Sequence, residues 1–481
     1  MQKNVRFRNH ISVIFENTIR SIGVIVFIFI GNFITSMDEM EDMGEHTTYL
    51  VLVLVGFLAV LLIWQIFVWA KTYISIQENT LIVERNTLNK KRNTIGLKNI
   101  SNVNLEQNLL EMILGTCKVK LDTNSLSTAD QTDVNIILKK KDAEAFRQLI
   151  LHETNPEAEA EEQAAQGEQR KFVSGMDDIV IHGLFSINFF SLIVLVGVVA
   201  GAIGTFSELT LEDVEGGLFG MLFSILVSIW VLGGMLWSVV KGFVKYIDFK
   251  IERKKDKISL SYGLFKKVAY SIPVDKINAV RFTQTMLARI GKRYMVEIIN
   301  VGIDDDENEA QFFFLPYAKK SKIEEQIRML LPEFDGCLEL GEEKQPKSIW
   351  LIWIPKVVLY FAVMGVVFGI MMEFIPEAKL VLLAAIGIIS VLALISKIAA
   401  FLTIGTAVHK QFLEIVDGSI GRRILFVKYD KIQYVTAKQN VLAKNFRVQK
   451  GEIYLLAAIK NQVHSLPYFR EEEMERLKDS L

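Results

Sequence analysis

The sequence predicts an α+β membrane protein in which six transmembrane helices, paired as three hairpins, alternate with three small cytoplasmic β-domains, each ending in a helix. Three observations lead to this fold class. Six long apolar blocks occur in pairs, one pattern of 16 residues occurs three times, and an amphipathic helical pattern closes each soluble segment. Hydrophobic residues make up 51% of the 481 residues and charged residues 23%, so the apolar residues must be segregated into blocks.

The apolar blocks can span a bilayer, since a membrane-crossing helix needs about 20 residues. Their predicted bounds are Ile19–Ser36, Tyr49–Ala70, Ile187–Phe206, Leu218–Phe243, Trp353–Phe374 and Leu380–Leu402. A short loop joins each pair into a hairpin. The first two loops, 37–48 and 207–217, contain five and four acidic residues and no Lys or Arg. Because basic residues cluster at the opposite ends, the positive-inside rule predicts that both termini and the three β-domains are cytoplasmic.

The repeated pattern begins at Ile95, Ile272 and Val427. Without gaps, its copies align Ile100, Ile277 and Ile432, then Val103, Val280 and Val435, then Gln107, Gln284 and Gln439, and finally Leu110, Leu287 and Leu442. Strand-like alternation lies on both sides of each copy, which is typical of a β-rich domain. An internal repeat of this kind indicates that one small domain is used three times.

Each copy is followed, at the end of its domain, by apolar residues spaced for one face of a helix. These residues are Phe146, Leu149 and Ile150, then Ile323, Ile327 and Leu330, and then Met474, Leu477 and Leu481. The predicted boundaries are hairpin 1–71, β-domain 72–152, acidic linker 153–183, hairpin 184–245, β-domain 246–335, linker 336–348, hairpin 349–405 and β-domain 406–481.

The second unit shows the fullest motif. It reads Gly263-Leu-Phe-Lys-Lys, Ile272-Pro, Asp275-Lys-Ile277, Val280, Gln284-Thr-Met-Leu287 and Gly291. The first unit keeps Gly115, whereas the third has Asn445 near that place, a residue that tolerates positive φ. This pattern resembles the bacterial pleckstrin-homology-like (PH-like) domain of membrane proteins of the YdbT type. The resemblance implies a seven-stranded β-structure with a C-terminal helix and no known catalysis. It also implies an accessory role in the bacterial envelope alongside other membrane proteins, with a shorter relative among the candidates.

No catalytic, cofactor or metal motif is apparent in the sequence. The net charge is −1, the two cysteines are Cys117 and Cys337, and the six histidines are scattered without ligand spacing. The acidic run 304–309 lacks the spaced ligands of a calcium loop, so it is interpreted as a solvated hairpin tip rather than a cation site. We therefore expect a protein that is not an enzyme and that binds no nucleic acid.

Basic residues of the second and third domains form the candidate site. They are Arg253, Lys254, Lys266, Lys267, Arg422, Arg423 and Lys428. An anionic inner leaflet attracts each nearby cation by about 1 kcal/mol. Binding of a specific headgroup and a general electrostatic cushion both stay open, and the second is favoured because nothing selects one headgroup. For the repeated Gln residues, holding their own loops through backbone hydrogen bonds is favoured over reading a ligand.

The sequence thus predicts a membrane-anchored scaffold or sensor that binds anionic lipid or protein at the inner leaflet, in envelope maintenance, envelope stress or defence. A lipid or small-molecule transporter or flippase is the alternative. Lys356 and Lys397 lie within predicted spans, but near their cytoplasmic ends, where lysines can extend to the interface. Gly-x-x-x-Gly spacing at 197–201 and 365–369 permits close helix packing, so a homo-oligomer is also open.

Overall fold

The computed structural model describes residues 4–18, 44–77, 79–123, 134–154, 170–186, 229, 233–234, 240, 243–264, 266–300, 312–341, 343–374, 379–457 and 462–481. The chain forms two compact units. The first comprises residues 1–169 with 259–271, and the second comprises residues 170–258 with 272–481. Each unit has its own buried apolar core.

Seven strands are described for each repeat. The first repeat contains β1 (Asn4–Phe7), β2 (Thr72–Gln77), β3 (Thr80–Asn86), β4 (Lys90–Gly96), β5 (Ile100–Gln107), β6 (Thr116–Thr123) and β7 (Val134–Lys139). The second contains β8 (Arg170–Val173), β9 (Lys250–Lys254), β10 (Lys257–Tyr262), β11 (Lys267–Pro273), β12 (Ile277–Gln284), β13 (Arg293–Asn300) and β14 (Phe312–Lys319). The third contains β15 (Glu343–Lys344), β16 (Gly405–Val408), β17 (Phe412–Gly418), β18 (Arg422–Lys428), β19 (Ile432–Lys438), β20 (Val448–Leu455) and β21 (Val463–Arg470).

The helices fall into three groups. Long apolar helices are α1 (Gly44–Ala70), α7 (Ile349–Phe374) and α8 (Lys379–Thr403). Short helices after the repeated strand are α2 (Leu109–Leu114), α5 (Met286–Ile290) and α9 (Val441–Asn445). The remaining helices are α3 (Lys140–Thr154), α4 (Met176–Ser186), α6 (Lys320–Leu330) and α10 (Glu471–Asp479). Helices α3, α6 and α10 are the closing amphipathic helices that the sequence predicts, and they bury Ile150, Ile323 and Leu477.

The repeated pattern forms the same three elements in each copy. A single 3-10 turn comes first, at Leu97–Asn99, Val274–Lys276 and Tyr429–Lys431. Strands β5, β12 and β19 follow, and the short helices α2, α5 and α9 come after them. The repeat is therefore the turn, strand and short helix at the centre of each domain.

In the first unit, one antiparallel sheet has the order β1-β2-β3-β4, and a second includes the order β7-β6-β5-β11. Strand β11 belongs to the second repeat, so a strand of that repeat extends the sheet of the first. Lys267 stands opposite Gln107, and Ala269 opposite Leu105. The core combines residues of both sheets and α3, including the fully buried residues Leu81, Val103, Val119, Leu121, Ile136 and Ile150.

In the second unit, a seven-stranded sheet has the order β14-β13-β12-β18-β17-β16-β15, and β19-β20-β21 form a three-stranded sheet. Strand β18 of the third repeat pairs with β12 of the second, so the strand exchange recurs. Arg422 stands opposite Gln284, and Val427 opposite Ala279. The core of the third repeat includes the fully buried residues Leu413, Val427, Ile453, Leu455, Phe469 and Leu477.

The first strand of each repeat precedes the membrane hairpin, which differs from the expected start of every domain after its hairpin. Strand β8 and most of α4 lie within the predicted linker 153–183, and β15 lies within the predicted linker 336–348. Both strands are short and depend on pairing: β8 pairs with β9, and β15 with β16. Pairing with a strand distant in sequence stabilises them, so local composition does not reveal them.

Within the described residues, two helical segments are long and apolar enough to cross a membrane: Ile349–Met372 and Ile386–Thr403. They are the predicted third hairpin. Helix α1 covers the predicted second span, and its segment Val55–Ala70 is a shorter apolar stretch. The predicted spans Ile19–Ser36, Ile187–Phe206 and Leu218–Phe243, apart from isolated residues of the last, lie outside the described residues. The six-helix architecture stays a prediction.

Candidate membrane-contact surface

The Gln residue shared by the three copies of the repeat makes the same hydrogen bond across a loop in each copy. The side-chain amides of Gln107, Gln284 and Gln439 donate to the carbonyls of Thr116 (2.6 Å), Arg293 (3.0 Å) and Val448 (3.1 Å). Each carbonyl lies nine residues after its Gln, where the next strand begins. The bond therefore spans the short helix and fixes both of its ends. This is the structural role that the sequence favours for these residues.

Each short helix is capped at its start and buries only one position deeply. The caps are Asn108, Thr285 and Asn440, whose side chains accept from the backbone N–H of Glu111 (2.8 Å), Ala288 (3.2 Å) and Ala443 (2.7 Å). Such capping satisfies a backbone donor that the first helical turn leaves free. The same three residues, Glu111, Ala288 and Ala443, are the buried positions of their helices.

Each of these helices also carries strongly exposed apolar side chains. Ile113 is 74% exposed, Ile290 71% and Val441 80%. In α2 the usual burial pattern is reversed: the charged residue Glu111 is buried, whereas the three leucines of the helix are exposed. Burial raises the pKa of the Glu111 carboxyl. Apolar side chains displayed on a short helix are typical of a surface that contacts a membrane or a partner.

In the second unit, α5 and α9 contact the ends of the membrane helices. The Arg289 guanidinium of α5 donates to the hydroxyl of Thr403, the last residue of α8, at 2.9 Å. Ile352, in the first turn of α7, packs with Ala443 and Val448 in one buried cluster. Helices α7 and α8 have the length and composition of membrane spans, so α5 and α9 lie beside the ends of two helices that are suited to cross a bilayer.

Basic side chains surround the exposed face of α9. Lys444, Arg447 and Lys450 are all exposed. Lys450 stands directly opposite Lys438 in the sheet, and the Lys438 ammonium is bound by Glu452 at 3.1 Å. Apolar side chains flanked by cations are typical of helices that lie at an anionic membrane surface.

A pocket in the first unit opens beside the end of α1. The amides of Asn9, Asn17 and Gln65, the Trp69 ring and the cations Arg85 and Lys91 line it. The Trp69 indole donates to the Asn9 carbonyl at 2.8 Å, which ties the helix end to the chain start. Both cations are exposed at the surface. This combination of amides, two cations and an indole offers donors to a phosphate group and an apolar wall to an acyl chain.

The left-handed turn after each short helix lies at a different position of the repeat from the one that the sequence predicts. Positive φ occurs at Gly115 (66°), Lys292 (49°) and Arg447 (51°), each eight residues after the repeated Gln. Gly291 instead has φ −76°, and it is required because a Cβ there would lie 2.8 Å from the Phe185 ring. Asn445, expected at the turn, lies in the last position of α9. Gly115 and Gly291 are therefore not equivalent positions of the repeat.

Arg253, one of the predicted lipid contacts, is bound within the protein. Its guanidinium donates to both carboxylate oxygens of Glu333 at 2.6 and 2.8 Å and to the Leu330 carbonyl at 3.0 Å. Its side chain is 11% exposed, and the bond to Glu333 raises the pKa of Arg253. Arg253 therefore holds β9 against the segment after α6. Lys428 also faces the protein, with its ammonium 4.8 Å from the centre of the Phe334 ring.

The other predicted cations occupy several places. Lys266 lies 3.7 Å from Glu106, and Arg423 lies 2.6 Å from Asp417. Arg422 stands opposite Gln284 in the β12–β18 pair, and Lys267 opposite Gln107 in the β5–β11 pair. Lys254, Lys267 and Arg423 are the exposed members of the set.

Sequence reasoning missed the exposed apolar residues and the pocket cations Arg85 and Lys91. The sequence does contain a signal for the exposed apolar residues. Adjacent apolar residues occur on helices too short to bury both, as at Leu109-Leu110 and Val441-Leu442. The pocket cations carry no local signal, because the pocket is built from segments far apart in the chain.

Burial keeps the side chains of Cys117, Cys337 and His182 un-ionised. Burial raises the thiol pKa of Cys117 and of Cys337 to about 12. It lowers the pKa of His182 to about 3, where the ring packs against Tyr246, Phe313 and Tyr317. No group of three His, Cys, Asp or Glu side chains suited to a metal ion occurs within the described part of the chain. These groups act as packing residues.

Comparison with known proteins agrees with the threefold repeat. The family model described as Bacterial PH domain matches residues 25–154, 191–330 and 351–481. The chain is 21% identical over 432 residues to the UPF0699 transmembrane protein YdbT of Bacillus subtilis (strain 168), covering 85% of this chain and 84% of that protein. No solved structure matches significantly. The two membrane-length helices and the transmembrane relative both support a membrane protein. The chain belongs to the bacterial PH domain family.

Proposed function

We propose that the protein is a non-enzymatic scaffold or sensor whose PH-like domains bind the anionic inner leaflet of a bacterial membrane through the short helices that follow the repeated strand. The observation that carries the proposal is the position of α9. Its buried face packs through Ala443 on Ile352 at the start of α7, while Val441 and Lys444 are exposed beside it. Lipid headgroups at that level would meet apolar and basic side chains together.

The pocket of the first unit supplies a second contact of the same chemistry. Arg85 and Lys91 stand at its surface and Trp69 forms part of its wall. A phospholipid phosphate would be paired by the two cations, while the indole would pack beside it at the membrane–water interface, where Trp is favoured. Weak sites on one chain reinforce one another when they can engage together. Several modest contacts would thus fix the domains at the surface, where they can recruit a protein partner and support the envelope.

Lipid retention by the full chain tests the proposal. The protein is reconstituted in nanodiscs with equal amounts of anionic phosphatidylglycerol and zwitterionic phosphatidylcholine, and the lipids kept on it after mild delipidation are quantified by mass spectrometry. We expect enrichment of phosphatidylglycerol that falls in Arg85→Gln/Lys91→Gln and in Lys444→Gln/Arg447→Asn. Asn at 447 tolerates the left-handed backbone there.

The matched control is Arg476→Gln/Lys478→Gln. It removes the same two charges from the exposed end of α10 and should leave enrichment unchanged. Equal retention of both lipids by the unaltered protein would refute the proposal. Transport is assayed in parallel: lipid flux through reconstituted vesicles that depends on Lys397 would favour the transporter alternative. Lys397 lies 5.8 Å from the Trp353 ring near the base of α7, a position suited to anchoring.

A further inference from the structure

Strand pairing between repeats follows one rule at both internal junctions. In the first unit, Lys267 of β11 stands opposite Gln107 of β5. In the second unit, Arg422 of β18 stands opposite Gln284 of β12. Each basic residue lies ten positions before the Ile of its own repeat, and each Gln closes the repeated strand. The register is therefore identical at the two junctions, although the side chains between those ends differ.

Two strands at equivalent positions of the repeat, β4 and β19, have no partner from another repeat in the described residues. Both lie at the edges of their sheets. Strand β4 is the equivalent of β11 and β18, because Lys90 stands ten positions before Ile100. It is the last strand in the order β1-β2-β3-β4. Strand β19 is the equivalent of β5 and β12, and it is the first strand in the order β19-β20-β21. Within the described residues, each therefore pairs on one side only.

Residues of the two edge strands are more exposed than those of the internally paired strand β12. Ala279, Val280 and Phe282 of β12 are fully buried, whereas Tyr434 of β19 is 52% exposed. In β4, all residues from Lys90 to Arg92 are exposed. The turn before β4 carries Leu88, which is 86% exposed. An open edge of this kind presents unpaired backbone donors and acceptors and is a template for another strand.

The internal junction also has a side-chain anchor whose counterpart is exposed in the third repeat. Arg289, five residues after Gln284, donates to the carbonyls of Ser419 and Ile420 in the turn before β18, at 3.0 and 3.3 Å. The residue five positions after Gln439 is Lys444, a second exposed cation. The turn before β4 that would accept its hydrogen bonds contains Thr87 and Leu88.

We propose that β19 of one chain pairs antiparallel with β4 of a second copy of this chain, in the register of the two internal junctions. Gln439 would stand opposite Lys90, Ala437 opposite Arg92, and Thr436 opposite Asn93. The occupant is a second copy because the chain carries both complementary edges, and because the pairing continues an interface that the chain already uses twice. Such contact joins different surfaces of the two copies, so it generates rings or open chains rather than a closed pair.

Charge sets the strength of this contact. Lys438 would face Lys91, and directly opposed like charges destabilise a strand pair. Glu452, already 3.1 Å from Lys438, offsets part of this repulsion. The association should therefore be modest and should strengthen as salt screens the lysines.

Register-specific cross-linking tests the proposal in membranes. One full-length copy carries Thr436→Cys and a differently tagged copy carries Asn93→Cys, so any disulfide joins two chains. The native Cys117 and Cys337 are buried and give a low background. The expected result is an oxidised species containing both tags. Replacing Asn93→Cys with Thr94→Cys should abolish it, because adjacent strand residues point to opposite faces.

Two controls keep the result decisive. Thr283→Cys/Arg423→Cys within one chain occupies paired positions of the internal junction and should oxidise, which verifies folding and oxidation. Unaltered chains with two different tags should also co-purify from mild detergent. Absence of the mixed-tag disulfide while the internal pair oxidises overturns the proposal, as does equal cross-linking by Asn93→Cys and Thr94→Cys.

Discussion

Arg289 donates a hydrogen bond to Thr403 at 2.9 Å, joining the short helix of the second repeat to the last residue of α8, a helix long and apolar enough to cross a membrane. The same guanidinium binds two carbonyls of the turn before β18. One side chain thus links the membrane end, the repeated element of the second repeat and the first half of the third.

Replacing this link should loosen the turn. Arg289→Met retains the aliphatic stem but removes the donors, and we expect a loss of about 1–3 kcal/mol in local stability. Hydrogen exchange of the amides at 419–422 should accelerate. Arg328→Met is the control: its ion pair with Asp335 lies at the surface with the Arg side chain 68% exposed, and such pairs contribute about 0–1 kcal/mol. Equal acceleration in both variants would contradict the role of Arg289.

The Gln column is tested by Gln284→Met, which keeps the length of the side chain and removes the amide. The partly buried Arg293 carbonyl would lose its donor, so we expect destabilisation of about 1–3 kcal/mol in denaturant unfolding. Gln433→Met, at an exposed position of β19, should change stability little. Unchanged stability of Gln284→Met, together with altered lipid retention, would instead indicate that the Gln column reads a ligand.

Substitutions at equivalent positions of the left-handed turn should change stability in opposite directions. Lys292 has φ 49° and Gly115 has φ 66°, a region that costs most residues about 1–2 kcal/mol and glycine little. Gly115→Ala should therefore destabilise its repeat, whereas Lys292→Gly should be neutral or stabilising. Thermal unfolding of the two variants checks the signs. Stabilisation by Gly115→Ala would show that the assigned column is wrong.

Glu473 predicts a pH dependence in the third repeat. Burial and the neighbouring Glu343 carboxyl raise the pKa of Glu473 from 4.5 to about 7. The folded state then binds a proton that the unfolded state releases between those values, so stability should fall as pH rises through this window. Glu473→Gln should flatten the profile of α10 hydrogen exchange between pH 5 and 8, after correction for intrinsic exchange rates. The exposed neighbour variant Glu472→Gln should retain the slope, and an unchanged slope in Glu473→Gln would refute the assignment.

The sequence predicted those parts of the fold that depend on local pattern. The columns of Ile100, Val103 and Gln107 place a strand and a turn where the structure has β5 and α2, and the closing helices follow from the spacing of residues such as Ile323 and Ile327. The spacing of apolar residues does not predict β1, β8 and β15. Each of these strands is short and is stabilised by pairing with a strand on the other side of the hairpin.

The surroundings of the candidate site residues could be predicted less well, for two physical reasons. A basic residue looks the same in sequence whether it faces solvent or a carboxylate of the protein, so the ion pair between Arg253 and Glu333 carries no local signal. Pairing of β18 with β12 joins strands more than a hundred residues apart, and no local pattern reports such contacts. The open edges β4 and β19 become visible only once the paired ones are known.

The proposed function requires the short helix after the repeated strand to touch the membrane, and a probe at Val441 tests this contact most directly. Val441→Cys in the full chain, labelled with an environment-sensitive fluorophore and reconstituted in anionic vesicles, should show blue-shifted emission quenched by lipids with nitroxide-labelled headgroups. The same label at Glu475→Cys on α10 should show neither effect. Solvent-like, unquenched emission from position 441 would contradict the account.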